Sequence, residues 1–111
     1  MSIDLQKPVH GGRTYEVRFA NDVDSTGTAL VMVGWVPNLA SAVPASQTLS
    51  VAPAAKASVN GTVPASSAAH RMAIVVSLDK GEFGELELLE NGVTHTVETI
   101  TETTTWEMVV I

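Results

Sequence analysis

Hydrophobic and polar residues alternate with a period of two along much of this chain. In RTYEVRFA, residues 13–20, Tyr15, Val17 and Phe19 alternate with Glu16 and Arg18, which predicts a strand with one buried and one wet face. The Asn, Asp, Ser and Gly of the following NDVDSTG mark a turn. TALVMVGWV, residues 28–36, is apolar at both parities. It fits a strand buried on both sides, or one whose outer face meets a partner, and Pro37 ends it. HRMAIVVSL, residues 70–78, has the β-branched centre of a strand. ELELLENGVTHTV reads as a hairpin, because Asn91-Gly92 is the pair that suits a type I′ turn, where both positions need positive φ. A two-residue loop there sets Leu86 opposite Val97, Leu88 opposite His95, Glu87 opposite Thr96 and Glu85 opposite Glu98. TTTWEMVVI, residues 103–111, is a last strand with Trp106, Met108 and Val110 on one face.

The middle, residues 38–69, is rich in Ala, Ser, Pro and Val. Leu49 and Val51, then Val59 and Val63, keep a short alternation, while Pro44, Pro53 and Pro64 divide the segment. Short edge strands joined by Pro-bearing turns are the reading, with a flexible linker as the competitor. No segment carries a helical stripe. The chain is therefore expected to be all-β: one domain over residues 1–111, an antiparallel β-sandwich, jelly-roll or immunoglobulin-like, of about seven or eight short strands. Residues 1–12 form an N-terminal arm.

Composition agrees with a folded domain. Of 111 residues, 45% are hydrophobic and 16% charged, against a usual charged share of about 25%. The formal net charge is −6, which disfavours nucleic acid and anionic membrane surfaces. There is no cysteine, which removes disulfides, thiolate metal sites and Cys nucleophiles. No run is apolar and long enough to span a bilayer. The opening MSIDLQKPVHGG lacks the basic-then-apolar layout of a signal peptide, so synthesis in the cytoplasm is expected, with assembly into a particle as a further expectation. Most of the charge lies late: from Asp79 onward eight acids face Lys80 alone. By contrast, residues 25–55 contain no charged side chain.

Candidate chemistry is sparse. Asp22 and Asp24, with Thr26 and Gly27 after them, resemble the first half of a calcium loop, but Val33 stands where the bidentate Glu belongs. They are a weak metal candidate, and Ca²⁺ is the one cofactor considered. His10, His70 and His95 are scattered, without the spacing of a two-His metal pair. His95 should share a face with Leu86 and Leu88, as a hydrogen-bonded core histidine. There is no G-x-S-x-G or S-x-x-K motif and no phosphate-cradling glycine loop, and the pair Glu85 and Glu98 reads as a solvated face. The chain is thus expected not to be an enzyme. A sugar ligand would need aromatic platforms, yet Tyr15, Trp35 and Trp106 each fall in the inward phase of a strand.

Those observations point to a non-enzymatic structural or interaction subunit of a larger protein assembly. A virion or phage accessory protein, for decoration or for a tail, is one concrete version. The partner would be another copy or another protein subunit. Because charged residues are depleted at interface centres, the contact surface is assigned to the uncharged middle, through Leu49, Val51, Val59 and Val63, with the acidic hairpin facing solvent. The alternative is a lectin-like β-sandwich module that binds carbohydrate or calcium.

Overall fold

A computed structural model describes residues 1–36, 47–65 and 71–111. It is a β-sandwich of nine strands, with no helix among the described residues. The strands are β1 (Ser2–Asp4), β2 (Thr14–Asn21), β3 (Ala29–Val36), β4 (Gln47–Val51), β5 (Lys56–Thr62), β6 (Arg71–Ser77), β7 (Gly84–Glu90), β8 (Val93–Ile100) and β9 (Thr104–Val109). One sheet runs β1-β9-β6-β3-β4 and the other β5-β2-β7-β8. The parts of residues 38–69 that are described are strands β4 and β5 with the Pro53 turn between them, each at the edge of its own sheet. Pro44 and His70 lie outside the described residues.

Alternation builds the core. Tyr15, Val17 and Phe19 of β2 point inward, as do Val31, Val33 and Trp35 of β3 and Trp106 and Met108 of β9, and all are buried. The edge of the Tyr15 ring meets Trp35, with centroids 5.9 Å apart. Gly84 begins β7 against Phe19. A side chain there would press on the Ala20 carbonyl and come within 2.6 Å of the Phe19 ring, so this close approach needs a glycine.

Two features depart from the sequence expectation. The first is that the sandwich is not wholly antiparallel and has nine strands. The three residues of β1 pair in parallel with β9, Ile3 beside Trp106, and Val9 bridges Val110 in the same sense. The N-terminal arm is thereby woven into the sheet. The second is the hairpin register. Asn91 and Gly92 do take φ of 51° and 76°, and Glu90 pairs with Val93 and Leu89 with Thr94 as a two-residue loop requires. Beyond them the register slips at Leu88/Leu89, so that Leu88 faces Thr96, Glu87 faces Val97 and Leu86 faces Glu98. His95 is the extra residue of a β-bulge, and Glu85 lies opposite Thr99 rather than Glu98.

The bulge has a visible cause. His95 is 8% exposed, and its Nε2 lies 3.0 Å from the Pro8 carbonyl. A carbonyl can only accept, so Nε2 carries the proton and Nδ1 accepts from the Thr96 hydroxyl at 2.8 Å. Both ring nitrogens are satisfied, and the residue ties the N-terminal arm to β8.

Candidate interaction surface

The two sheets turn very different outer faces to solvent. On the four-stranded sheet the face is charged. Arg18 donates to both oxygens of Glu16, at 2.9 and 3.2 Å, and approaches Glu87 at 3.7 Å. The Arg18 hydrogen bond holds the Glu16 carboxyl below its ordinary range. Lys56 and Glu85 extend the same face through the pairings of Ala20.

The five-stranded sheet presents an apolar outer face. Leu30 and Met32 of β3 alternate with the buried Val31 and Val33, and they are 46% and 42% exposed. Strand β3 is therefore buried on its inner face and open on its outer one, not buried on both sides. Pairing lines the outward residues up in rows across the strands. One row is Thr48, Met32, Val75, Thr105 and Ser2. The next is Gly34, Ala73, Glu107 and Asp4. Because Gly34 and Ala73 are small, the second row is a trough. A depression of about 280 Å³ opens there, bounded by Met32, Val75 and Glu107. Among the described residues the charges on this face are Asp4, Glu107 and Arg71, on β1, β9 and the central β6, while β3 and β4 carry none. Arg71 pairs with Asp4 through Nη2 and approaches Glu107 at 3.7 Å through Nε.

The interface assigned from sequence is corrected by this geometry. Val51 and Val63 are 1% and 0% exposed and belong to the core. Leu49 and Val59 are half-buried and pack against it. In β4 and β5 the small polar residues Thr48, Ser50, Ser58 and Asn60 face outward instead. The physical reason is that β4 and β5 close the same side of the sandwich. Their inward valines fill the space between the sheets.

The acidic turn is held by its own hydrogen bonds. Asp22 accepts the Asp24 backbone N–H at 2.9 Å through its own carboxylate, an Asx turn. Ser25 donates to the Phe83 carbonyl at 2.8 Å and accepts its N–H at 2.9 Å, stapling this loop to the β6–β7 loop. Val33, at the twelfth position of the calcium pattern, points into the core. No group of three or more metal-ligating side chains occurs among the described residues. In the neighbouring loop Glu82 is buried, with the Asp79 backbone N–H on Oε1 and no partner on Oε2 among the described residues. Tyr15, Trp35 and Trp106 are all buried and give a sugar no platform.

One cluster was not visible in the sequence. Glu90, at the end of β7, accepts the His10 backbone N–H at 2.8 Å, and its other oxygen lies 3.2 Å from both His10 Nδ1 and Arg13 Nη1. These residues are 80 and 77 positions apart, and only the fold brings them together. The His10 backbone N–H and the Arg13 guanidinium both donate to the carboxylate, with the His10 ring beside it, which makes it a clamp between the N-terminal arm and the hairpin. Burial alone would push its pKa up, but the His10 and Arg13 contacts outweigh burial and hold it below the ordinary value.

A group with a depressed pKa stabilises the fold above its unfolded value and loses that contribution as pH falls through the folded one. Glu90→Gln is accordingly expected to cost about 1 kcal/mol at pH 7, a charge-assisted figure discounted because its partners are partly in water. The gap from wild type should close as the pH drops below about 4.5, the ordinary value. Urea unfolding of both chains at pH 7 and pH 3 checks this. An equal gap at both would mean that the carboxylate's charge is not what the clamp uses.

No helix among the described residues is long and apolar enough to cross a membrane. No protein-family model, curated protein or solved structure matches the chain.

Proposed function

We propose that this β-sandwich is a non-enzymatic structural or interaction subunit of a larger protein assembly, and that it docks through the outer face of its five-stranded sheet. The observation that carries this reading is the contrast between the two faces. Leu30 and Met32 stand open beside Val75, and strands β3 and β4 carry no charge among the described residues of that face, while the opposite sheet sets out Glu16, Arg18, Lys56, Glu85 and Glu87. Interface centres are depleted in charge and enriched in Met and other large apolar residues, and contiguous exposed apolar surface marks contact sites. The polar groups described above act as turn caps, staples and clamps, which is the chemistry of a scaffold.

A thermal-shift screen against Ca²⁺ and a panel of glycans separates this reading from that of a ligand-binding module. A true ligand at a hundred times its Kd adds about 2.7 kcal/mol, on the order of 10 °C in a domain this small. No shift is expected with any of them. A shift of that size with Ca²⁺ or a glycan would replace the docking role with a lectin-like or calcium-binding one.

A further inference from the structure

We infer that the occupant of this face is a second copy of the chain, packed sheet to sheet about a two-fold axis that crosses the strands between the Met32 row and the Gly34 row. The inference rests on the proposed docking role and names its partner.

The face is complementary to itself about that axis. Met32 and Gly34 are two residues apart on β3, and Val75 and Ala73 are two apart on β6, at matching heights. Such pairs are about 6.8 Å apart along a strand. A two-fold axis midway between the rows exchanges them. The ridge made by Met32 and Val75 of one copy then lies over the trough made by Gly34 and Ala73 of the other, and the reverse contact forms at the same time. This is the reciprocity of an isologous interface. The trough is the depression of about 280 Å³ already described, and Met32, 42% exposed, is the side chain beside it that could fill it.

The polar positions obey the same operation. The axis sets β9 against β9 and β1 against β1. Glu107 meets Thr105 of the second copy, two residues away on its strand, and Asp4 meets Ser2. Arg71 on β6 comes over Ser77. Each charged group thus meets a hydroxyl, and no like charges are brought face to face. Sliding the axis onto the Glu107 row would set Glu107 against Glu107, which costs.

Net charge favours the same arrangement. Two chains of −6 repel. The acids are concentrated on the other sheet and in the loops that hold Asp22, Asp24, Asp79 and Glu102. Packing through the five-stranded sheets keeps the two acidic sheets on opposite outer sides of the pair. Five strands at about 4.8 Å and four rows at about 6.8 Å give a footprint of about 24 by 27 Å. That is toward the low end of specific interfaces, about 800 Å² per partner being standard. A concentration-dependent dimer is therefore expected rather than an inseparable one.

The chain has no cysteine, so Thr48→Cys on the exposed face of β4 takes a single spin label. In the pairing described, β4 faces β4, and the two Thr48 positions lie about 12 Å apart, from a 6.8 Å offset and sheets about 10 Å apart. An axis along the strands would set β4 over β1 and separate them by more than about 20 Å. The experiment combines light scattering over a concentration series, the label distance by pulsed spin resonance, and Met32→Glu. A dimer with the short distance, weakened more than about tenfold by Met32→Glu while the melting temperature of the dilute, monomeric chain is unchanged, is the expected result. A dimer with the long distance, or one indifferent to Met32→Glu, would overturn this pairing. So would a monomer at every concentration. In either case the docking role still stands or falls by the ligand screen, which does not depend on the mass.

Discussion

Val51→Glu is expected to unfold this protein. Val51 is 1% exposed at the end of β4, paired with Ala29, and its carbonyl accepts Asn21 Nδ2 at 2.8 Å. A carboxylate placed there has neither water nor a cation beside it. It must be buried charged, or protonated at a cost, or carried out by opening the edge of the sandwich. Any of these costs more than about 4 kcal/mol, against a total stability of about 5–15 kcal/mol for a domain. Met32→Glu is the control. It lies on β3 of the same sheet, faces outward, and should leave the melting temperature of the dilute, monomeric chain where it was. Circular dichroism and urea unfolding of the two variants check the pair. A Val51→Glu protein that folds normally but associates less would return the contact surface to β4.

Trp106→Ala should be the costliest truncation in the core. Trp106 is fully buried in β9, with Ile3 beside it on one neighbouring strand and Ile74 on the other. Losing it leaves a cavity beneath three strands at once, for about 3–5 kcal/mol. Its indole nitrogen is buried without a hydrogen-bond partner among the described residues. An unpaired buried donor costs about 1–3 kcal/mol. Trp106→Phe removes that donor and keeps most of the ring, so it should recover most of the loss and cost less than about 2 kcal/mol. Urea midpoints of the three chains measure it. If the Phe variant falls as far as the Ala variant, the indole N–H is paired after all.

Much of the sandwich was legible because alternation is a local signal. Tyr15, Val17 and Phe19, or Trp106 and Met108, announce an inward face whatever lies across from them. The Asn91-Gly92 turn was legible for the same reason, since its backbone angles are set by two residues. The bulge at His95 was not, because it depends on the Pro8 carbonyl, 87 residues away. Nor was β1, whose three residues are too short to carry a pattern and which takes its place from β9. The Glu90 clamp depends on partners equally distant in sequence.

The burial of Val51 and Val63 was hidden for a different reason. Leu49 and Val51 alternate as a strand should, but the lack of charge in this segment marks an interface centre and a sandwich core equally well. Two stacked edge strands make it core. The exposed apolar positions lay in residues 28–36 instead, where both parities are apolar and pattern alone does not say which side is open.

The parallel seam between β1 and β9 also sets an order of events as the chain folds. The sheet of β5, β2, β7 and β8 has all its strands once Ile100 has been made. The other sheet does not. Its second strand, β9, is the last in sequence, and β1, the first, has no neighbour in the sheet until β9 arrives. Joining Ser2 to Thr105 spans nearly the whole chain, and such non-local closure earns contacts only after its entropy has been spent. Folding on the millisecond-to-second scale of high-contact-order β proteins is the consequence. Strand β1 would thus be made well before β9, the neighbour that holds it, and be among the last to find its place.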